Sequence, residues 1–299
     1  MYDAIVIGGS FAGQSAAMQL ARARQRVLLI DAGAQRNRFA QAAHGFLGQD
    51  GRPPAAIMSD ASRQLLAYPT AEIIHQRVTR VEGGSGGFVA ITEDGCRFEA
   101  RRMVLATGVR DELPPIPGLA ERWGETVLHC PYCHGYEVRD HKLGVIANHR
   151  ASAHQAALIP DWGSATYFTQ GAYEPDAEEA ALLTRRGVAI ERTPVVEVLG
   201  SAPQVSAVRL ADGRSIELAA IFTAPVTRQA SDLADQLGCA MEDGPSGAFI
   251  RVDPWGKTSV IGVFAAGDAA AAMHNGTLAS ASGVLAGVAA HQSLVTEIR

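Results

Sequence analysis

The apolar positions of the first thirty residues fall into blocks that alternate in period. Tyr2 to Ile7 is an apolar, β-branched run with the pattern of a strand. Gly8 to Gly13 interrupts it as a glycine-rich turn. Ala and Leu then dominate from Gln14 to Arg24, which predicts a helix, and Arg26 to Ile30 is a second strand that ends at Asp31. A further strand-like run, Arg102 to Ala106, leads into Thr107-Gly108. The same strand-helix-strand pattern starts again at Lys142: a strand from Leu143 to Ala147, a helix from about Ala151 to Leu158, and a strand from Ala165 to Thr169. An Ala/Glu-rich helix from Asp176 to Arg186 follows, then short strands around Ile190 to Leu199, Val205 to Leu210 and Ser215 to Leu218.

Two breaks punctuate this order. Pro114-Pro115-Ile116-Pro117-Gly118 continues neither helix nor strand and reads as a crossover between units. Asp243-Gly244-Pro245-Ser246-Gly247 is the second break, after which Val263 to Asp268 is a strand ending in Gly-Asp, followed by the last helix. The expectation is an α/β fold with two Rossmann-like units. One, made of residues 1–113 and 247–299, is split by the other, residues 114–246.

The final stretch, Ala269 to Thr296, is free of charged residues and long enough to raise a transmembrane question. Its glycines and its His274, Asn275, Thr277, Ser280, Ser282 and Gln292 leave it only weakly apolar, which predicts a small-residue helix buried against a sheet. The amino terminus has no basic region before its first strand, so it does not read as a signal peptide.

Composition narrows the partners. In 299 residues, 47% are hydrophobic and 19% charged, enough for a sizeable core and too apolar for disorder. The 26 basic and 31 acidic side chains give a net charge of -5, which argues against nucleic acid or an anionic membrane as partner. Glycine is over-represented at 31 residues and aromatics are sparse at 6%, a balance typical of nucleotide-binding α/β chains. There are four cysteines, Cys96, Cys130, Cys133 and Cys239, far too few for a secreted disulfide scaffold. They point to a reducing compartment, taken as the cytoplasm.

Three motifs carry chemistry. In Gly8-Gly9-Ser10-Phe11-Ala12-Gly13 the glycines let the backbone approach a pyrophosphate, whose charge meets a helix N-terminus. Ser10 stands where the usual G-x-G-x-x-G has its second glycine. Asp31, 23 residues beyond Gly8 and followed by Ala32, is placed for a ribose hydroxyl. The second motif is the tail strand with Gly267-Asp268, whose carboxylate can accept from a flavin's ribityl chain. Together with Ala106-Thr107-Gly108, these residues resemble the split FAD-binding domain of the two-dinucleotide flavoproteins, in the same order along the chain.

The third motif is Cys130-Pro131-Tyr132-Cys133-His134-Gly135-Tyr136-Glu137. Two thiols at this spacing can close a disulfide within one turn, and a basic neighbour or helix N-terminus lowers one thiol's pKa. His134, directly after the pair, can take or give the proton. A structural zinc site is the competing reading, but Cys96 and Cys239 are isolated and only His129 and His134 lie nearby, so no metal is expected. An inert buried pair is the other.

These residues resemble the low-molecular-weight thioredoxin reductase family, in which the disulfide lies at the start of the inserted NAD(P)H-type domain and stacks over the flavin. That family has Asp where this chain has His134. The Cys-Pro-aromatic-Cys-His-Gly-Tyr-Glu string is more similar to the branch of dithiol oxidases of gliotoxin and holomycin biosynthesis, as is the segment from Arg36-Asn37 to His44-Gly45 and on to Gly51. The resemblance implies FAD, with Arg36, Asn37, His44 and Gly45 lining the flavin and its ribityl chain. It further implies that Cys130 exchanges with substrate, that Cys133 passes electrons to the flavin, and that His134 acts as base.

The inserted unit lacks what NADPH needs. Its first strand is followed by Asn148-His149-Arg150-Ala151-Ser152-Ala153 with no glycine, and Phe168-Thr169-Gln170-Gly171 holds no basic cluster, although Arg150 lies close. NADPH use is therefore disfavoured. The leading expectation is a homodimeric FAD enzyme oxidising a small dithiol with O2 as acceptor. A reductase of thioredoxin-like proteins, driven by NADPH or another donor, and a flavin-binding redox sensor are the alternatives. His141, His149, His154 and His291 show no metal-like spacing and read as packing or solvated residues.

Overall fold

The computed structural model describes residues 1–84 and 86–296, and the chain forms two compact units. The first comprises Met1–Arg38, Pro54–Arg110 and the chain from Thr227 onward; the second comprises Phe39–Pro53 and Asp111–Val226.

The first unit is built on a seven-stranded sheet. Strands Ala71–Ile74, Val27–Ile30, Tyr2–Ile7 and Arg97–Leu105 run parallel in that spatial order. On its far side Arg97–Leu105 changes partner along its length. Its carboxyl end pairs in parallel with Val263–Ala265, while its amino end pairs antiparallel with Gly87–Thr92, which pairs with Val78–Gly84. Every residue of Val27–Ile30 is buried, as a central parallel strand covered on both faces requires.

The helix Phe11–Arg22 covers one face, burying Ala12, Ala16, Ala17, Leu20 and Ala21. Against it lies the last helix, Gly276–Thr296, whose Gly283 and Gly287 meet the Ala12 and Ala16 backbone. This corrects two expectations. The helix packs chiefly on another helix, because small residues on both sides let the backbones touch. It is also long and apolar enough, by length and composition, to cross a membrane, with a third of that stretch buried.

The second unit holds a five-stranded parallel sheet in the order Ala189–Glu191, Ser164–Phe168, Lys142–Ile146, Ala220–Phe222, Val127–Leu128. A three-stranded antiparallel sheet, Val195–Leu199, Ala207–Leu210 and Ser215–Glu217, accompanies it. The helix Ala177–Arg185 starts at a capping box in which the Asp176 carboxylate accepts from Glu178 and Glu179 N–H and Glu179 answers to the Asp176 N–H.

The second of the two breaks lies inside a unit rather than between units. Pro114–Gly118 falls in the second unit, on the side where the sequence division puts it, and Val198 N–H donates to Pro117 O at 2.9 Å. Asp243 to Gly247 is a hairpin between Met241–Asp243 and Ala248–Ile250, inside the first unit. A turn between paired strands and a linker between units use the same residue types.

Candidate active site

The cofactor residues expected from sequence lie mostly in the first unit. Tyr2–Ile7 ends at Gly8, whose φ of +103° only glycine adopts easily, and a Cβ there would sit 2.2 Å from Ala106 O. A Cβ on Gly13 would fall 1.7 Å from Gly8 O. The turn therefore closes only because these side chains are absent. Ser10 has φ -85° and ψ -164°, an extended conformation open to any residue, so its departure from glycine carries no backbone strain. Gln14 N–H is the first to bond within the helix, to Ser10 O at 2.9 Å, so the N–H groups of Phe11, Ala12 and Gly13 face out of the helix end.

Asp31 closes this cradle from the next strand. Its Oδ1 accepts from Gly9 N–H at 3.1 Å and its Oδ2 from Gln35 Nε2 at 3.1 Å, and Ala32 beyond it is exposed. Ala106 N–H donates to Ile7 O at 2.8 Å, which sets Thr107 and Gly108 at the same carboxyl edge of the sheet. Gly108 has φ +68° and Gly267 φ +72°. Arg36, on the short turn Arg36–Phe39 that also carries Asn37, donates through Nη1 to Asp268 Oδ2 at 2.9 Å. A glycine cradle, a helix N-terminus and a carboxylate at a strand end fit the pyrophosphate, ribose and ribityl chain of a dinucleotide.

The redox residues lie in the second unit. Cys130 and Cys133 are joined as a disulfide with Cα atoms 5.3 Å apart. Cys130 is the N-cap of the short helix Pro131–His134, with proline at its first position, and Cys130 O accepts from Cys133 and His134 N–H at 3.2 Å each. Gln155, itself buried, donates to His129 O at 2.7 Å and so anchors the residue before the pair. Burial lowers the His134 pKa below the ordinary histidine value, while Glu137 pulls it up and His44 pushes it down. His134 is thereby neutral near pH 7 and able to take a proton.

His44 and Gly45, expected beside the flavin, belong to the segment grouped with this second unit. The His44 and His134 ring centroids are 6.2 Å apart in an edge arrangement, and His44 Nε2 is 3.5 Å from Glu137 Oε1. Sequence reasoning misses Glu137 and Gln155 as partners of the pair. Glu137 is signalled only by standing three residues after His134, on the same side of a helical turn.

The turn after Lys142–Ile146 is closed on itself. Ser152 Oγ accepts from Asn148 N–H at 3.1 Å and from His149 N–H at 3.3 Å, and His149 Nδ1 accepts from Ala151 N–H at 3.0 Å. The N–H groups of Asn148, His149 and Ala151 thus each have an acceptor within the turn. Burial lowers the His149 pKa, in keeping with its acceptor role. Cys239 is buried, with its thiol pushed up by burial; Cys96 is exposed, and Asp94 raises its thiol. Neither has the lowered pKa of a nucleophile.

The chain matches the pyridine nucleotide-disulphide oxidoreductase family over residues 2–150 and 168–289. It is 33% identical to thioredoxin reductase tcpT of Claviceps purpurea over 99% of this chain and 95% of that protein. The crystal structure of the oxidoreductase from Agrobacterium tumefaciens has 50% identity and a TM-score of 0.95, covering 99% of each chain. The crystal structure of HlmI has 36% identity and a TM-score of 0.91, covering 98% of this chain and 92% of that one. The family implies FAD, which the glycine cradle of the first unit fits. The chain belongs to the pyridine nucleotide-disulphide oxidoreductase family and is a thioredoxin reductase-like, FAD-dependent thiol-disulfide oxidoreductase.

Proposed function

We propose that the enzyme oxidises a small dithiol to a disulfide, with O2 as final acceptor and hydrogen peroxide as the second product. The stoichiometry is one dithiol and one O2 giving one disulfide and one H2O2. FAD, when bound, supplies the two-electron acceptor between the cysteine pair and oxygen. Gly8, Ser10, Phe11, Ala12 and Gly13 hold its pyrophosphate, Asp31 and Ala32 its ribose, and Arg36, Asn37, Ala106, Thr107, Gly108, Gly267 and Asp268 its remaining length.

At the redox pair, His134 deprotonates the entering thiol, which attacks one sulfur of the Cys130–Cys133 disulfide. By resemblance Cys130 forms the mixed disulfide and Cys133 is released toward the flavin. The observation that supports oxidation over NADPH-driven reduction is the self-closed turn, in which Ser152 Oγ and His149 Nδ1 take the backbone donors of Asn148, His149 and Ala151. We place the enzyme in the cytoplasm as a homodimer, free of membrane.

A second reading, a reductase acting on a thioredoxin-like protein, is favoured by the thioredoxin reductase designation of tcpT. The test is an anaerobic titration of the yellow protein with NADPH, NADH and then dithiothreitol, followed by air. Bleaching by the dithiol alone, with colour and peroxide returning in air, is the expected result. Bleaching by NADPH within seconds overturns it in favour of the reductase.

A further inference from the structure

Thiol-disulfide exchange at this site must dispose of two protons, and His134 holds only one. The first substrate thiol loses its proton, its sulfur bonds to one cysteine, and the Cys130–Cys133 bond breaks with the other cysteine leaving as thiolate. The second thiol loses its proton and attacks the mixed disulfide, so that the S–S bond forms within the substrate and the first cysteine leaves. The substrate gives up two electrons and two protons, and the pair gains the two electrons. The protons go to the leaving thiolates or to the half-buried imidazole and are consumed again when O2 becomes H2O2, so more than one acid–base group beside the pair has a use.

The structure brings a second imidazole to this place by an unusual route. Residues Phe39–Pro53 interrupt the sequence of the first unit yet group with the second. They carry His44, with Nε2 3.5 Å from Glu137 Oε1 and Nδ1 3.7 Å from Asp50 Oδ1. Asp50 is fixed in turn, its Oδ1 accepting from Gly45 N–H at 2.8 Å. Side-chain exposure is 22% at His44, 41% at Glu137 and 71% at Asp50, so Asp50 is the most open of the three to water. Glu137 lies at ion-pair distance from His44 and its charge acts on His134, whose ring centroid is 6.2 Å from that of His44, which makes its carboxylate the candidate carrier between the two.

We propose that His44 is the second acid–base group of the exchange, receiving through Glu137 the proton that His134 collects and delivering it to solvent by way of Asp50. This rests on the dithiol-oxidase reading above. The ionisable groups facing His44 are His134, Glu137 and Asp50. His44 and Glu137 thereby become working parts of the reaction beside His134.

The test uses the purified holoenzyme and its His44→Asn variant, mixed anaerobically with dithiothreitol in stopped flow from pH 5.5 to 8.5. Flavin bleaching by His44→Asn should slow about tenfold near pH 6.5, with a changed pH profile, and millimolar imidazole should restore much of the rate. Glu137→Gln should show a smaller loss of the same pH dependence. Wild-type rates and profile in His44→Asn overturn the proposal, as does a loss that imidazole does not relieve and Glu137→Gln does not share. If dithiothreitol fails to bleach the wild type, the dithiol-oxidase reading falls. The relay is then read from iodoacetamide alkylation of the chemically reduced pair, whose pH midpoint should move upward in His44→Asn. An unmoved midpoint overturns the relay by itself.

Discussion

Arg36 Nη1 donates to Asp268 Oδ2 at 2.9 Å, joining side chains 232 residues apart in sequence and both about four-fifths buried. Both are expected at a flavin from motifs at opposite ends of the chain, and the fold makes them a pair. The ion pair holds the carboxylate in one orientation while leaving Oδ1 to accept from a ligand hydroxyl. Replacing Asp268 with Ala removes that acceptor together with the ion pair to Arg36. FAD affinity should fall about tenfold, equivalent to about 1.4 kcal/mol, measured from flavin fluorescence released on dilution. Undiminished retention of FAD in Asp268→Ala would remove this residue from the cofactor site.

His134 also ties stability to pH. Burial is the largest influence on it and lowers its folded-state pKa below 6.5. Above pH 6.5 neither the folded nor the unfolded form carries the proton, so the group has no effect there. As pH falls through 6.5 the unfolded chain binds the proton first, and stability drops until the folded-state pKa is reached. His149 acts in the same direction, since burial lowers it too. The melting temperature should therefore decline more steeply between pH 6.5 and 5 for the wild type than for His134→Asn, and less steeply again when His149→Asn is added. Equal slopes in all three proteins would mean that neither imidazole is penalised by burial.

Local chemistry is legible in the sequence where one segment determines it. Tyr2–Ile7, Val27–Ile30 and Lys142–Ile146 can be read because central parallel strands are apolar runs bounded by turn residues. The Gly8 turn can be read because its conformation excludes side chains. What escapes depends on distant pairing. Arg122 is one of 26 basic residues in the sequence, yet it lies buried with its guanidinium donating to the carbonyls of Gly118, Gly200 and Gln204. Resemblance assigns His44 to the flavin, and only the fold shows Glu137 beside it. The last helix reads as a sheet-covering element because composition does not reveal which surface a glycine meets.

Ser152 is fully buried, and its hydroxyl oxygen serves both Asn148 and His149 N–H. Ser152→Ala leaves two amides short of an acceptor, at a cost of about 1–3 kcal/mol. The melting temperature should fall by several degrees, while the flavin spectrum and the response to dithiothreitol stay unchanged. A variant that instead acquires rapid bleaching by NADPH would show that this hydroxyl alone had blocked the nucleotide.

Gly283 lies inside the Gly276–Thr296 helix, where propensity favours alanine over glycine by about 1 kcal/mol. On that ground Gly283→Ala should stabilise the protein. Packing opposes it, because a Cβ at this position would sit 2.1 Å from Ala12 O and 2.9 Å from Ala12 Cα, and backbone atoms cannot swing aside as a flexible side chain would. Relief requires the two helices to part, and the gap would spread to Gly287, whose Cβ would be 2.6 Å from Ala16 O. Overpacking of this kind costs about 1–3 kcal/mol and outweighs the propensity gain. Gly283→Ala should therefore lower the urea midpoint, and Gly283→Val should lower it further. Because Ala12 belongs to the turn-and-helix unit that we propose receives the pyrophosphate, the same variants should release FAD more readily. A raised urea midpoint in Gly283→Ala would mean that the helices are not in backbone contact at this crossing.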